Sequence, residues 1–104
     1  MARMVVIYKQ PADASAFDAH YFGVHVPLAK QLPGLRRYEV SRGPIVSPTG
    51  GPPWHLVATL HFDDLAAIRA AVATPLGQAC AADRRKFAPD DANVVMLLFE
   101  SEDV

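Results

Sequence analysis

Apolar residues along this chain recur with two periods, and segments of the two kinds alternate. Residues 3–9 (RMVVIYK) are β-branched and aromatic and stop at Gln10-Pro11, which predicts a first strand. Phe17, Tyr21, Val24, Leu28 and Leu32 then follow at steps of three and four, with Phe22 and Ala29 beside them, which predicts an amphipathic helix. Ser15 and Asp18 form the S-x-x-D pair of a capping box at its start, and Gly34 ends it just after Pro33. Residues 35–42 (LRRYEVSR) predict a second strand. Residues 43–53 (GPIVSPTGGPP) predict a surface loop that is long for a hairpin connection. Residues 54–62 (WHLVATLHF) predict a third strand, with Leu56, Ala58, Leu60 and Phe62 on one face and His55, Val57, Thr59 and His61 on the other. A second helix is predicted over 63–74, where Asp63 and Asp64 suit its N-terminal dipole and Pro75 breaks it. A further helical piece covers 76–87, and residues 92–100 predict a last strand.

The order strand, helix, strand, strand, helix, strand is that of an α+β, ferredoxin-like βαββαβ domain spanning 1–104. Right-handed crossovers place both helices on one face of its antiparallel sheet. The other face should then be polar. Yet VVIY and VVMLLF are apolar at both parities, which implies burial on both faces. A second copy packed sheet to sheet would bury the uncovered face, so the expectation is a homodimeric α+β barrel.

The first helix raises two questions. Pro27 falls inside it, where its ring would clash with the Gly23 carbonyl and kink the axis. His25 lies at the centre of the apolar stripe, at about 100° per residue, whereas His20 lies off it and should face solvent. Two readings of His25 stand: a core imidazole satisfied by a backbone carbonyl, or a general acid/base lining a cavity between helix and sheet.

With 51% hydrophobic and 20% charged residues, the composition is that of a globular chain. A net charge of −1 gives no bulk attraction to nucleic acid or an anionic membrane, and no segment has the length of a membrane span, so neither partner is expected. One cysteine, Cys80, excludes an intramolecular disulfide and suits a reducing compartment, so a cytoplasmic protein is expected. In an alanine-rich stretch, Cys80 reads as core rather than nucleophile.

Few residues are left to carry chemistry. Tyr8, Tyr21 and Tyr38 come from three different elements and would suit a phenolic or carbonyl-bearing ligand near His25; amphipathic packing is the competing reading. Trp54 ends the long loop and either folds over a pocket mouth or seals the sheet edge. His55 and His61 are too far apart along one strand to share a metal; both read as interface or edge residues, with His61 kept as a candidate for the pocket lining. No metal-ligand spacing and no nucleotide cradle is present, and Asp13, Asp18, Asp63 and Asp64 read as caps.

These residues carry a resemblance. Tyr8-Lys9-x-Pro11, Phe17-x-x-x-Tyr21, His25-x-Pro27-Leu28 and the run from Pro33 to Val40 (PGLRRYEV), continued by WHLVATLHFDDLAAIRAAVATPLGQA, make the chain resemble the EthD family of dimeric α+β barrels over nearly its whole length. The resemblance implies a ferredoxin-like homodimer and an accessory role in degradative oxidation, since the family is named for ether breakdown beside a cytochrome P450 system. It carries the family's motif histidine onto His25. Members are commonly labelled reductases, but no flavin or nicotinamide motif is visible and no cofactor is expected. Similar barrels act without cofactors on polyketides, lactones and phenols, or bind haem. The expected partner is thus a small hydrophobic oxygenated molecule, with a partner oxygenase possible. Three functions follow: an enzyme or enzyme partner in which His25 moves a proton and Tyr8 or Tyr38 holds the substrate oxygen, a non-catalytic ligand-binding or stress-associated module, and a haem binder.

Overall fold

The computed structural model describes residues 1–104. Strands β1 (Ala2–Lys9), β2 (Arg37–Val40), β3 (Trp54–Phe62) and β4 (Val94–Glu100) form one antiparallel sheet in the order β2-β3-β1-β4. Helices α1 (Ala14–His20) and α2 (Val26–Ala29) fill the first crossover, α3 (Leu65–Ala73) and α4 (Pro75–Phe87) the second. The α+β ferredoxin-like arrangement is therefore present. No single helix is long and apolar enough to cross a membrane.

Alternation along the central strands sorts the core. Ala2, Met4, Val6 and Tyr8 of β1 and Leu56, Ala58, Leu60 and Phe62 of β3 are all buried beneath the helices. They meet Phe17, Tyr21, Ala29, Leu32, Ile68, Ala71 and Cys80. The opposite face carries no helix. Register places Val5 beside Thr59 and Leu97, and Ile7 beside Val57 and Val95, on that open face. Leu97 and Phe99 there are 49% and 41% exposed.

Four local expectations are corrected. The first helix opens not on a Ser15/Asp18 box but on Asp13, whose extended backbone lets its side chain accept from Ala16 N at 3.0 Å. Asp18 instead accepts from His55 Nε2 at 2.7 Å. The proline clash is met by a π turn over Tyr21–His25, closed by a bond from Val26 N–H to the Tyr21 carbonyl, which leaves Pro27 near the start of α2, where a missing N–H costs little. Gly23 is not needed for space, because a Cβ there would meet nothing within 4 Å. β2 is shorter than predicted, although Arg36 N and Ser41 N still bond to β3 carbonyls at 2.8 Å on either side of it. Finally, a register shift between Tyr8 and Lys9 turns His55 off the His61 face, so that its ring meets the edge of Phe17 at 5.0 Å.

Candidate functional site

The π turn and α4 face each other across the helical layer, and each brings a polar residue into an apolar stripe. His25 ends the π turn and is buried, 8% exposed. Asp83 lies on α4 with Gly77, Cys80 and Phe87 at helical spacings, and is 5% exposed. His25 Nδ1 donates to Asp83 Oδ2 at 2.9 Å, and His20 Nε2 donates to Asp83 Oδ1 at 2.8 Å. A carboxylate only accepts, so both imidazoles must present N–H at those atoms. This corrects the solvent-facing placement of His20, whose side chain is only 28% exposed. Phe87 covers the cluster, with its ring 4.8 Å from that of His25 and 5.4 Å from that of His20.

The electrostatics follow from burial and these two bonds. Burial lowers the His25 pKa below the usual histidine value, and the bond to Asp83 opposes that only in part. Burial raises the Asp83 carboxyl, but the bonds from His20 and His25 outweigh it and hold the group below the ordinary aspartate range. At neutral pH the pair is therefore a neutral imidazole protonated at Nδ1, backed by an ionised carboxylate. Its Nε2 carries a lone pair.

That lone pair has somewhere to point. A cavity of about 300 Å³ lies between the helices and the covered sheet face. His25, Tyr8, Tyr21, Tyr38 and Cys80 line it, together with Met4, Val6, Leu60, Met96 and other apolar side chains. No fully buried side-chain nitrogen or oxygen lacks a partner, so the Nε2 of His25, which has none in the protein, is open to this space. The Tyr21 and Tyr38 hydroxyls bond each other at 2.6 Å. Burial raises the pKa of all three phenols, and each stays a neutral donor. Burial also raises the Cys80 thiol, with the Asp83 charge adding to it, so Cys80 is no thiolate nucleophile. Arg84 is the only basic side chain in the lining apart from His25, and it is paired: its guanidinium donates to Ala88 O at 2.8 Å and to Asp91 Oδ1 at 2.7 Å.

The candidates from the sequence divide between three places. His25, Tyr8, Tyr21 and Tyr38 converge on the cavity. Trp54 lies away from it, in a surface depression shared with Asp18, Phe22, Arg42 and His55. His61 sits on the open sheet face, where its Nε2 donates to Glu39 Oε1 at 2.8 Å. Sequence reasoning missed Asp83. The signal was available, because a carboxylate stands in the apolar stripe of α4 just as an imidazole stands in that of the first helix. No group of three or more histidine, cysteine, aspartate or glutamate side chains gathers to hold a metal, and His25 is the only histidine in the cavity lining.

Comparison with known proteins gives consistent matches. A model of the EthD domain matches residues 9–91. A Rhodococcus erythropolis protein, described as an uncharacterized 11.0 kDa protein in the thcB–thcC intergenic region, is 40% identical over 105 residues, covering all of this chain and 98% of that one. The crystal structure of an ethyl tert-butyl ether D (EthD) family protein from Bacillus halodurans matches with a TM-score of 0.86 and 34% identity, over 98% of this chain and 99% of that one. SnoaB, a cofactor-independent oxygenase from Streptomyces nogalater, shares the fold with a TM-score of 0.67 at 18% identity, over 99% of this chain and 94% of that one.

Proposed function

The chain belongs to the EthD family, and from that premise we propose that it binds a small hydrophobic oxygenated molecule in the helix–sheet cavity and moves a proton there with His25, as an enzyme or accessory protein of oxidative degradation. The observation that carries the reading is the pairing of an Asp83-backed imidazole with an open cavity of about 300 Å³. A histidine serving only as packing would have no reason to leave Nε2 facing space. A neutral imidazole with its lone pair toward a ligand is a general base, and after accepting a proton it is the matching acid. Asp83 fixes the tautomer and stabilises the imidazolium that forms. One tyrosine of the cavity holds the ligand oxygen.

Nothing in this role needs a bound cofactor, since a positioned acid/base supplies roughly 10²–10⁴ in rate. The fold is compatible with such chemistry, as the cofactor-independent oxygenase from Streptomyces nogalater has the same architecture. The working unit is a homodimer joined through the open sheet face, whose Val5, Ile7, Leu97 and Phe99 are otherwise left to water. Partnership with an oxygenase fits an accessory role.

The test is a thermal-shift screen of wild type and His25→Asn against phenols, quinones, lactones and ketones. A native-state binder raises Tm by mass action. The expected result is a ligand that stabilises wild type but not the variant. Stabilisation of both proteins by the same ligand would remove His25 from the site, and a variant that retains turnover on that ligand would remove its acid/base role.

A further inference from the structure

The substrate class can be narrowed by what the cavity lacks as much as by what it holds; the inference rests on the reading of His25 as the proton-accepting group. We propose that the cavity takes a neutral ketone of about two fused rings, that His25 removes a proton from the carbon beside the carbonyl, and that the Tyr21–Tyr38 pair holds the oxygen of the enolate that forms.

Size comes first. A dry apolar cavity of about 150 Å³ holds one benzene ring, and this one is about 300 Å³. Charge comes second. Arg84 already has a carboxylate partner in Asp91 and also donates to Ala88 O, which weakens its pull on a second anion, and the buried Asp83 charge behind His25 would repel a ligand carboxylate. A cationic ligand would find no acceptor charge in the lining, because both Asp83 oxygens are taken by imidazoles. A neutral molecule remains.

Polarity comes third. Within the Tyr21–Tyr38 bond one hydroxyl donates to the other, which leaves one phenolic O–H of the pair free to donate to a ligand oxygen. A base and an oxygen-holding donor that share one apolar chamber are the two parts an enolisation needs. In that step the C–H bond breaks and its proton goes to His25 Nε2. The electron pair becomes the carbon–carbon double bond, and the carbonyl oxygen takes the negative charge against the tyrosine O–H. Return of the proton restores the ketone, so no oxidant or reductant enters.

2-Tetralone is the probe, with 2-naphthoate as an anion of similar size. The protein is incubated with each in D2O, binding is read from NMR shifts of the cavity residues, and deuterium uptake at the carbon beside the ketone is followed above the uncatalysed rate. The expected result is binding of tetralone, no binding of naphthoate, and accelerated deuterium uptake that falls by about a hundredfold in His25→Gln and also falls in the double variant Tyr21→Phe with Tyr38→Phe, which removes both hydroxyls of the pair. The double tyrosine variant keeps both rings and their packing, so it remains informative if the histidine variant folds poorly. Tetralone that binds without gaining deuterium above background overturns both the enolisation and the acid/base reading of His25. If tetralone does not bind, whether or not naphthoate does, the ligand class is wrong, while the acid/base reading stands for another substrate.

Discussion

At the residue scale, the cluster His20–Asp83–His25 has a pH signature with a definite sign. His25 has a lowered folded-state pKa because of burial, so the unfolded chain binds more protons than the native state as the medium becomes acid. Its contribution to stability is therefore complete above the usual histidine value of 6.5 and is lost as pH falls below it. Asp83, also lowered, adds a second loss as pH falls from the ordinary aspartate value of 3.8. Thermal melts should show wild-type Tm declining on mild acidification, with a shallower decline in His25→Gln. Equal slopes for the two proteins would mean that His25 is not held neutral by burial. The residues of this cluster were unequally visible beforehand. His25 stood out because it interrupts an apolar stripe. Asp83 is 58 positions away in sequence, and only the tertiary approach of α4 to the π turn makes the two partners. A phase of 100° per residue sends His20 to solvent, but the segment between it and His25 widens into a π turn and brings the two rings to one carboxylate.

At the element scale, the four strands and the helical segments of both crossovers were signalled in the sequence, whereas the Asp13 cap of the first helix, its break at the π turn, the length of β2 and the pairing of β1 with β3 near His55 were not. The bulge in β1–β3 pairing that re-aims His55 depends on both strands, and alternation within one strand cannot reveal it. The proline in the first helix was visible, but its resolution by a π turn was not. The break between α3 and α4 was better marked, by Pro75. Its consequence is a close approach at Gly77, where an added Cβ would come to 2.6 Å from Val72 Cα and closer still to the Ala71 carbonyl oxygen. Gly77 also forms part of the cavity wall. Gly77→Ala should cost about 1–3 kcal/mol by overpacking, measured by urea unfolding. A neutral result would show that the α3–α4 corner relaxes freely.

At the scale of the whole molecule, the apolar character of β1 and β4 at both parities is the feature a single chain leaves unaccounted for. The helices leave Leu97 and Phe99 49% and 41% exposed on the open sheet face, and Met96 and Leu98 of the same strand 53% and 40% exposed at the cavity edge of the other. Homodimer formation through that face predicts that Leu97→Lys with Phe99→Lys shifts the protein to monomer in light scattering while the far-ultraviolet dichroism is kept. A variant that remains dimeric would move the interface elsewhere. The fold's overall plan was legible because alternation and periodicity are local. The cavity was not, since it arises from how far the helices stand off the sheet.

The proposed role requires that His25 present an unprotonated Nε2 to the cavity while Asp83 holds its Nδ1–H. The most direct test is ¹⁵N NMR of the histidine side chains at neutral pH, with His25 assigned by substitution. The expected spectrum is that of the neutral tautomer protonated at Nδ1, with that fixed tautomer lost in Asp83→Asn. A proton on Nε2, or on both nitrogens, would contradict it.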